Sequence, residues 1–253
     1  MTEAVAPWPS LGVVVPVYNE ATGIENGCLA LLSVIRRYPG EAIVIAVDDG
    51  SRDDSVAILA RLAEEHEELD LVRHERNAGY GQALRTGARR AQSLGFQYVA
   101  FIDSDLTNPP ADLLKIGELA RQGHPYIKAS RFVPGGSMGA VPIRRRALSR
   151  SANIVASALF GTHVRDVTNG FRAGRTDLIC SWPTRERTFA VIVEEFAMAL
   201  DAGVAPVEFP TSLSARSAEQ RRSAFSYSPS LIWSYFRYPL RAYLHHLFRP
   251  HRS

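Results

Sequence analysis

The feature that most constrains the fold is the alternation of short apolar runs with amphipathic stretches over the first 130 residues. The apolar runs predict β-strands at LGVVVPV (11–17), AIVIAV (42–47), LDLVRH (69–74), QYVAFI (97–102) and PYIKAS (125–130). The segments between them carry apolar residues at helical spacing. Repeated strand–helix units with continuously apolar strands predict an α/β fold with a mostly parallel, Rossmann-like sheet flanked by helices.

Polar residues and glycines gather where four of these strands end. The segments are PVYNE (16–20), VDDGS (47–51), RHERNAGYGQALRTG (73–87) and DSD (103–105). One such segment is ordinary turn chemistry. Four at successive strand ends predict a ligand site, because ligands bind beyond the carboxyl ends of parallel strands.

Two interpretations remain open for Asp103 and Asp105, which flank a single residue after the fourth strand. Together with Asn108 and Pro109 they favour a turn. Alternatively, both carboxylates face one hard cation, Mg²⁺ or Mn²⁺, with a bound diphosphate completing its shell. The neighbouring polar strand ends favour the cation site.

Asp48 and Asp49 also have two interpretations: they accept hydrogen bonds from a nucleobase or ribose, or they cap the next helix. Ser51, followed by Asp53 and Asp54, predicts that this helix starts at Ser51.

Several classes of enzyme lack their motifs here. The glycines of NAGYGQ do not spell G-x-G-x-x-G, and the chain has no G-x-x-x-x-G-K-[ST]. It also has no Cys/His set with zinc spacing and no G-x-S-x-G. These absences argue against a dinucleotide-dependent dehydrogenase, a P-loop ATPase, a zinc site and a serine hydrolase.

Charge is unevenly distributed although the net charge is only +3. Residues 121–175 contain ten Lys or Arg and a single acid, Asp166, and residues 216–253 contain seven Arg and one Glu. The second half is therefore expected to meet an anionic partner. The aromatic and basic tail (231–249), in which Pro239 is expected to introduce a kink, suits a helix lying in a membrane interface. Packing of the tail on the domain is the alternative.

No apolar run reaches the roughly 20 residues that a spanning helix needs. The first ten residues lack a basic region and a long apolar run, so no signal peptide is expected. Cys28 and Cys180 are expected to be buried thiols rather than a disulfide. These features predict a cytoplasmic protein, peripherally associated with the cytoplasmic face of the membrane.

The order PVYNE, VDDGS, N-x-G-x-G-x-A and DSD closely resembles the family 2 glycosyltransferases of the GT-A fold. In the second half, similarity to the polyprenol-phosphate glycosyltransferases, the dolichol-phosphate mannose synthase group, lies in four segments. They are ASRFVPGG (129–136), PIRRRALSRSAN (142–153), RDVTNGFRA (165–173), which is predicted to be a loop, and the segment at Arg216. The resemblance implies a GT-A domain over 11–222, with a nucleotide-sugar half (11–130) and an acceptor half (131–222). An extension (1–10) and the amphipathic tail (223–253) flank it.

The resemblance implies inverting transfer of a sugar from a nucleotide-diphosphate-sugar to a polyprenyl phosphate at a membrane surface, with Mg²⁺ or Mn²⁺ as cofactor. It assigns Pro16, Tyr18, Glu20 and Asp49 to the nucleoside of the donor, and Asp103 and Asp105 to the metal and the donor diphosphate. Asp48 is a further donor-binding candidate because its carboxylate, beside Asp49, could accept hydrogen bonds from the nucleoside. It assigns Arg131, Arg145 and Arg216 to the phosphates, with Arg131 counted as catalytic beside the two aspartates. Arg222 is a further candidate for binding the phosphates or the acceptor.

Arginine-rich composition suits this chemistry. The lipid phosphate is already an anionic nucleophile, so the reaction needs charge neutralisation by a metal and guanidinium groups rather than a strong base. Asp166 is expected to orient an arginine or the loop, or to lie near the acceptor. Of Glu194 and Glu195, at least one is expected to face the site or to pair with a buried arginine.

Two departures from the family pattern affect these assignments. Thr107 stands where the family often has a metal-binding Gln, and the usual R-x-x-G-x-S-K becomes Arg216-Ser-Ala-Glu-Gln-Arg-Arg, with Glu219 and Arg222 replacing Gly and Lys.

Two other functions stay open. One is transfer to a different acceptor, a cell-wall glycan or a small hydroxyl compound, which needs a carboxylate base such as Asp166 or Glu194. The other is a catalytically silent nucleotide-sugar-binding scaffold. A nucleic-acid partner does not explain the acidic strand ends, whereas a membrane-anchoring partner or a homo-oligomer is compatible with the sequence.

Overall fold

The computed structural model describes residues 6–139, 141–214 and 229–248. The strands are β1 (Leu11–Val17), β2 (Ala42–Asp48), β3 (Leu69–Arg73), β4 (Tyr98–Phe101), β5 (Tyr126–Ser130), β6 (Arg172–Arg175) and β7 (Val207–Pro210). The helices are α1 (Ile24–Ile35), α2 (Ser55–Glu65), α3 (Tyr80–Ser93), α4 (Leu113–Arg121), α5 (Ile143–Phe160), α6 (Thr176–Ser181), α7 (Val191–Asp201) and α8 (Pro229–Phe248). A 3₁₀ turn (Pro110–Asp112) precedes α4.

These strands form a seven-stranded sheet of order β3-β2-β1-β4-β6-β5-β7. Neighbouring strands run parallel except around β6, which is antiparallel to both β4 and β5. The predicted α/β fold with a mostly parallel sheet is confirmed.

Helices cover both faces of the sheet. Alternate residues of a strand point to opposite faces, so Val13 and Val15 of β1 pack with α1, α2 and α4, whereas Val14 packs with α3 and its neighbours. Two buried apolar clusters result, one on each side. Burial on both faces explains why the central strands are continuously apolar.

The structure corrects two local predictions. The segment 165–173, expected to be a loop, leads into β6 at Arg172. The helix expected from Ser51 begins at Ser55, with Asp54 as its N-cap residue. The hydroxyl of Ser51 instead accepts a hydrogen bond from the backbone N–H of Asn19, at 2.9 Å. Ser51 therefore joins the loops after β1 and β2.

The two cysteines are free thiols, as predicted, but only Cys28 is buried and Cys180 is half-buried. Burial raises the pKa of Cys28 to about 12. In the described residues, no helix combines the length and the apolar character that crossing a membrane requires. Helix α8 continues through Pro239.

Candidate functional site

Most of the predicted site residues that the structure describes lie at one edge of the sheet. The carboxyl ends of β1 and β2 lie side by side, with Val17 in register with Asp48. Because β6 is antiparallel to β4, Arg172 at its amino end pairs with Phe101 at the carboxyl end of β4. Strand β5 reaches the same edge and leads into Arg131. Strand β1 lies between β2 and β4, so the strand order runs in opposite directions on its two sides. This reversal makes the carboxyl edge at β1 a topological switch point, where α/β sheets bind ligands.

The DSD segment forms a turn. The backbone N–H of Leu106 donates to the carbonyl of Asp103 at 3.1 Å, and Leu106 adopts a left-handed φ of 45°. Such a conformation is unusual for a branched residue and is retained at functional sites. Asp103 and Asp105 stay half-buried at the sheet edge, so the turn and the cation site are compatible.

Thr107 acts on Asp105. Its backbone N–H and its hydroxyl both lie 3.1 Å from Oδ1 of Asp105 and donate to it. The hydroxyl that stands in place of the family's Gln is therefore used to orient a carboxylate.

Tyr80, the first residue of α3, holds the other carboxylate. Its hydroxyl donates to Oδ1 of Asp103 at 2.8 Å. Burial, reinforced by the charge of Asp103, raises the pKa of Tyr80 well above its usual value, so the phenol stays protonated and donates. Gly170 lies next to this pair, since a Cβ there would be 3.4 Å from both Oδ2 of Asp103 and the Tyr80 hydroxyl, an ordinary contact distance.

These two carboxylates fit a hard divalent cation. Mg²⁺ and Mn²⁺ take oxygen ligands, and Mg²⁺ is commonly held by one or two carboxylates together with substrate phosphates and water. Within the described ranges, no group of three or more His, Cys, Asp and Glu side chains could hold a metal by itself. Two carboxylates alone would leave the remaining coordination positions of such an ion to other ligands.

Asp49 organises the loop that follows β3. Its Oδ1 accepts from the backbone N–H of Ala78 and lies 2.7 Å from Nδ1 of His74, and its Oδ2 accepts from the N–H of Gly79. Nε2 of His74 in turn lies 2.9 Å from the hydroxyl oxygen of Thr86. Both carboxylate oxygens thus bind protein groups, and the prediction that Asp49 caps the next helix is wrong.

Asp48 is completely buried at the end of β2. Its Oδ2 accepts from the backbone N–H groups of Gly50 and Ser51 at 3.2 Å. Its Oδ1 is buried and lacks a hydrogen-bond partner among the described residues. An unsatisfied buried carboxylate oxygen is costly and marks a position that needs a structural or functional explanation.

The end of β1 lies beside these aspartates. Pro16 is half-buried in the strand, Tyr18 is 39% exposed and Glu20 is half-buried. Asn19 between them has a positive φ of 53°, and its side-chain oxygen accepts from the backbone N–H of Arg52 at 2.8 Å. This link joins the first two strand-end loops into one surface.

Arg131 is held by Asp166. Nε and Nη2 of Arg131 donate to the two carboxylate oxygens at 2.7 Å, and its backbone N–H donates to Oδ2 at 2.9 Å. Nη2 also donates to the hydroxyl of Thr168. Asp166 is fully buried, so it orients an arginine, as one of the predictions stated.

Among the described residues, no contact joins the other predicted phosphate ligands to Arg131 or Asp166. Arg145 is exposed in the first turn of α5. Arg216 and Arg222 lie outside the described residues.

Sequence reasoning missed the role of Arg172. It is fully buried, and its Nε and Nη2 donate to the two carboxylate oxygens of Glu195 at 2.6 and 2.7 Å. Its guanidinium carbon lies 4.5 Å from the ring centroid of Phe101, and Nη1 donates to the carbonyl of Gly170. The prediction that Glu194 or Glu195 pairs with a buried arginine is confirmed for Glu195.

Glu194 supports a neighbouring loop. Its carboxylate accepts from the backbone N–H groups of Arg185 and Glu186 at 2.8 to 3.0 Å. Like Asp166, it is buried and already committed as a hydrogen-bond acceptor.

Comparisons with known proteins give the family. Residues 12–181 match the family model described as Glycosyl transferase family 2. The chain is 30% identical over 168 residues to the polyprenol monophosphomannose synthase of Mycolicibacterium smegmatis, covering 66% of this chain and 62% of that protein. It is also 30% identical over 166 residues to the undecaprenyl-phosphate mannosyltransferase of Micrococcus luteus, covering 66% of each. The aligned part is thus somewhat under two thirds of each relative.

Solved structures share the fold. The glucosyl-3-phosphoglycerate synthase of Mycobacterium tuberculosis in complex with phosphoglyceric acid superposes with a TM-score of 0.67 at 21% identity, covering 92% of this chain and 80% of that one. The same enzyme with Mn²⁺, UDP and glucosyl-3-phosphoglycerate gives a TM-score of 0.63 at 20% identity, covering 94% and 79%.

Proposed function

Because the chain belongs to glycosyl transferase family 2, we propose that it transfers a sugar from a nucleotide-diphosphate-sugar to a polyprenyl phosphate at a membrane surface. The class of acceptor is taken from relatives whose names contain polyprenol, undecaprenyl-phosphate and, in a Methanococcus voltae protein that is 26% identical, dolichyl-phosphate. Inversion at the transferred carbon is part of the proposal.

The proposal is carried by two carboxylates oriented at the switch point, together with the finding that both candidate bases named from the sequence are engaged elsewhere. Asp103 and Asp105 lie at the switch point, each held by a hydroxyl donor. Asp166 and Glu194, the two candidate bases, are buried and bound to Arg131 and to backbone N–H groups. A hydroxyl acceptor would need such a base. A phosphate acceptor, already ionised, does not.

Asp103 and Asp105 are proposed to hold Mg²⁺ or Mn²⁺ together with the donor diphosphate. The ion would neutralise negative charge that develops on the leaving diphosphate. Arg131, held rigidly by Asp166, is proposed to meet a phosphate through its guanidinium group, whose fork geometry suits phosphate oxygens. Arg145, Arg216 and Arg222 are proposed to draw the acceptor phosphate toward this end of the molecule.

The nucleoside is proposed to lie over the ends of β1 and β2. Tyr18 offers an exposed ring, and Pro16 and Glu20 border the same surface. The unsatisfied Oδ1 of Asp48 is a candidate acceptor for a donor N–H or O–H once the loop adjusts. Asp49 would contribute through the loop that it holds.

Helix α8 is proposed to contact the membrane with its outer side, at the cytoplasmic face. The inner side of the helix is occupied, because it packs against the apolar cluster on the α3 side of the sheet through Tyr235, Tyr238 and Ala242. On the outer side four large apolar residues are exposed: Trp233, Leu240, Tyr243 and Leu244. Neighbouring α5 adds exposed apolar residues and arginines. Apolar side chains among basic residues suit an anionic lipid surface.

A transfer assay on the purified full chain tests the proposal. GDP-mannose, UDP-glucose and UDP-N-acetylglucosamine would each be offered with short polyprenyl phosphates, with and without Mg²⁺ or Mn²⁺. We expect metal-dependent transfer from one donor, reduced about 100-fold or more in Asp105→Asn because the substitution removes a charged metal ligand.

Asp177→Asn is the matched control, since Asp177 pairs with Arg175 at an exposed position and should leave transfer unchanged. Transfer to a hydroxyl acceptor but not to a polyprenyl phosphate would establish the alternative acceptor. Donor binding without transfer to either acceptor would support the silent scaffold.

A further inference from the structure

The hydroxyl of Tyr80 is fixed by packing. Its ring stacks on Phe189 with centroids 4.3 Å apart, and Gly170 lies beside its hydroxyl, where a Cβ would be in van der Waals contact with both that hydroxyl and Oδ2 of Asp103. The hydroxyl therefore meets Oδ1 of Asp103 in one defined geometry, at 2.8 Å. A carboxylate held in this way is restricted in the orientations that it can offer to a cation.

The glycines on either side of Tyr80 receive a distant segment, residues 184–189, which we call the bridging loop. The N–H of Gly81 donates to the carbonyl of Arg187 at 3.0 Å. A Cβ on Gly81 would lie 2.1 Å from the carbonyl oxygen of Glu186, and one on Gly79 would lie 2.6 Å from that of Arg187. The glycine-rich segment thus serves to seat the bridging loop on the start of α3.

Helix α8 holds the other side of the bridging loop. The hydroxyl of Tyr235 donates to the carbonyl of Phe189 at 3.1 Å. The hydroxyl of Tyr238 donates to Oε1 of Glu186 at 3.1 Å, and Arg237 forms an ion pair with the same carboxylate. Three successive polar side chains of one helix segment therefore anchor the loop that carries Phe189.

Tyr235 also lies within electrostatic range of the site. Burial raises the pKa of Tyr235 above its usual value, and the negative charge of Asp103 raises it further, against the opposing charges of Arg131 and Arg172. Helix α8 therefore interacts electrostatically with Asp103 and is also connected to it through the bridging loop.

We propose that Tyr80 is a positioning residue that fixes Asp103 for the divalent cation, and that α8 keeps Tyr80 in place through the bridging loop. This inference rests on the proposed function, because it concerns the same metal. It assigns to α8 a role in assembling the site, in addition to any contact with a membrane.

Mn²⁺ binding to the full chain tests the first part. Free Mn²⁺ would be measured by electron paramagnetic resonance during titration, alone and with UDP or GDP. Tyr80→Phe keeps the ring that stacks on Phe189 and removes the hydroxyl. We expect its Mn²⁺ affinity to fall about 10-fold, since removing a hydrogen-bond partner of a metal ligand typically costs 10- to 100-fold.

Tyr98→Phe is the matched control. It removes a tyrosine hydroxyl at the opposite end of β4, where the hydroxyl donates to the carbonyl of His124, and should leave Mn²⁺ affinity unchanged. Thermal unfolding of the metal-free variants and UDP or GDP binding in chelator should match the wild type. Wild-type Mn²⁺ affinity in Tyr80→Phe would overturn the inference.

Tyr235→Phe tests the second part, with Tyr243→Phe, an exposed tyrosine of the same helix, as its control. Of these two tyrosine variants, we expect only Tyr235→Phe to weaken Mn²⁺ binding, by about threefold, because it removes one neutral hydrogen bond between α8 and the bridging loop. Phe189→Leu, which keeps the Tyr80 hydroxyl and removes its stacking partner, should also weaken binding. Equal Mn²⁺ affinity in Tyr235→Phe, Phe189→Leu and Tyr243→Phe would overturn the role of α8.

Failure of this inference differs from failure of the proposed function. If the wild type binds Mn²⁺, Asp105→Asn abolishes binding and Tyr80→Phe changes nothing, the inference alone is wrong. If the wild type binds no Mn²⁺ with either nucleotide, the metal site of the proposed function is wrong and the inference is wrong with it.

Discussion

Lys128 is a fully buried amine in the middle of β5. Its Nζ donates to the carbonyl of Asn169 at 3.1 Å and lies 6.0 Å from the ring centroid of Phe196. Burial, and secondarily the charge of Arg172, lowers the pKa of Lys128 to about 7, although nearby carboxylates oppose the shift. Those carboxylates belong to Asp166, Glu195 and Glu208. Near neutral pH this buried amine therefore changes between its charged and neutral forms, close to the ion pairs of the site.

Lys128 should make stability depend on pH. An unfolded lysine has a pKa of about 10.4, so between about pH 7 and pH 10 the unfolded chain binds more protons than the folded chain. The free energy of unfolding then rises with pH across this interval. We expect Lys128→Met to remove that rise, as measured by urea unfolding at several pH values from 6 to 10.

Lys115, the other lysine of the chain, provides the control because its side chain is about half exposed. Lys115→Met should keep the wild-type pH dependence. An unchanged slope in Lys128→Met would show that Lys128 titrates normally in the folded protein.

At the level of an element, β6 brings a buried ion pair to the edge of the sheet where the site lies. It is four residues long, RAGR, and antiparallel to both of its neighbours. It places Arg172 in the interior and Arg175 at the surface, each in an ion pair with a carboxylate. Arg172 links β6 to α7 through Glu195, which also accepts from the hydroxyl of Tyr126.

We expect Arg172→Met to lower the free energy of unfolding by about 3–5 kcal/mol, because it leaves the buried carboxylate of Glu195 without its partner. The double variant Arg172→Met with Glu195→Met should recover part of that loss, since no buried charge of the pair remains. Arg175→Met on the same strand should cost less than about 1 kcal/mol, since its ion pair is exposed. Urea unfolding measures all three, and equal losses for the two arginines would contradict the buried pair.

Strand β6 also shows why part of the fold could not be predicted from the sequence. The first five strands follow apolar runs in the sequence, and the structure places each within a residue of the predicted bounds. RAGR has no such run. It becomes a strand because β4 and β5, distant in sequence, offer it hydrogen-bonding edges on both sides.

The site residues divide in the same way, into contacts that local sequence predicts and contacts that depend on distant segments. The DSD turn, the pairing of Glu195 with an arginine and the orienting role of Asp166 were predictable from residue type and local sequence. The actual partners of Asp49 and the contact of Tyr80 with Asp103 were not, because they join segments 23 to 30 residues apart. Gly79 and Gly81 are noticeable in the sequence, but the reason that glycine is needed there is the close approach of a loop about 100 residues away.

At the scale of the molecule, α8 faces two environments. Its inner side packs on the domain and anchors the bridging loop, while its outer side exposes aromatic and aliphatic residues. The two alternatives considered for the tail, packing and membrane contact, are therefore compatible. Packing is confirmed for Tyr235 and Tyr238, and contact with lipid stays a prediction.

Tryptophan fluorescence of the full chain measures that contact. Of the three tryptophans, Trp233 is 59% exposed, whereas Trp182 is buried and Trp8 is half-buried. We expect vesicles containing anionic phospholipid to shift the emission to shorter wavelength, as the indole of Trp233 enters the lipid interface. Neutral phosphatidylcholine vesicles should produce a smaller shift, because arginines near the surface add about 1 kcal/mol each on anionic lipid.

Trp233→Phe should abolish the spectral shift while leaving co-sedimentation with the vesicles largely intact. Leu244→Ser, on the same outer side, should weaken co-sedimentation, and Leu94→Ser, an exposed leucine at the end of α3, should not. If both leucine variants bind vesicles as the wild type does, α8 is not the lipid-facing element. Its exposed apolar side then requires another partner, and the role of α8 in holding Tyr80 is unaffected, since that role depends on its inner side.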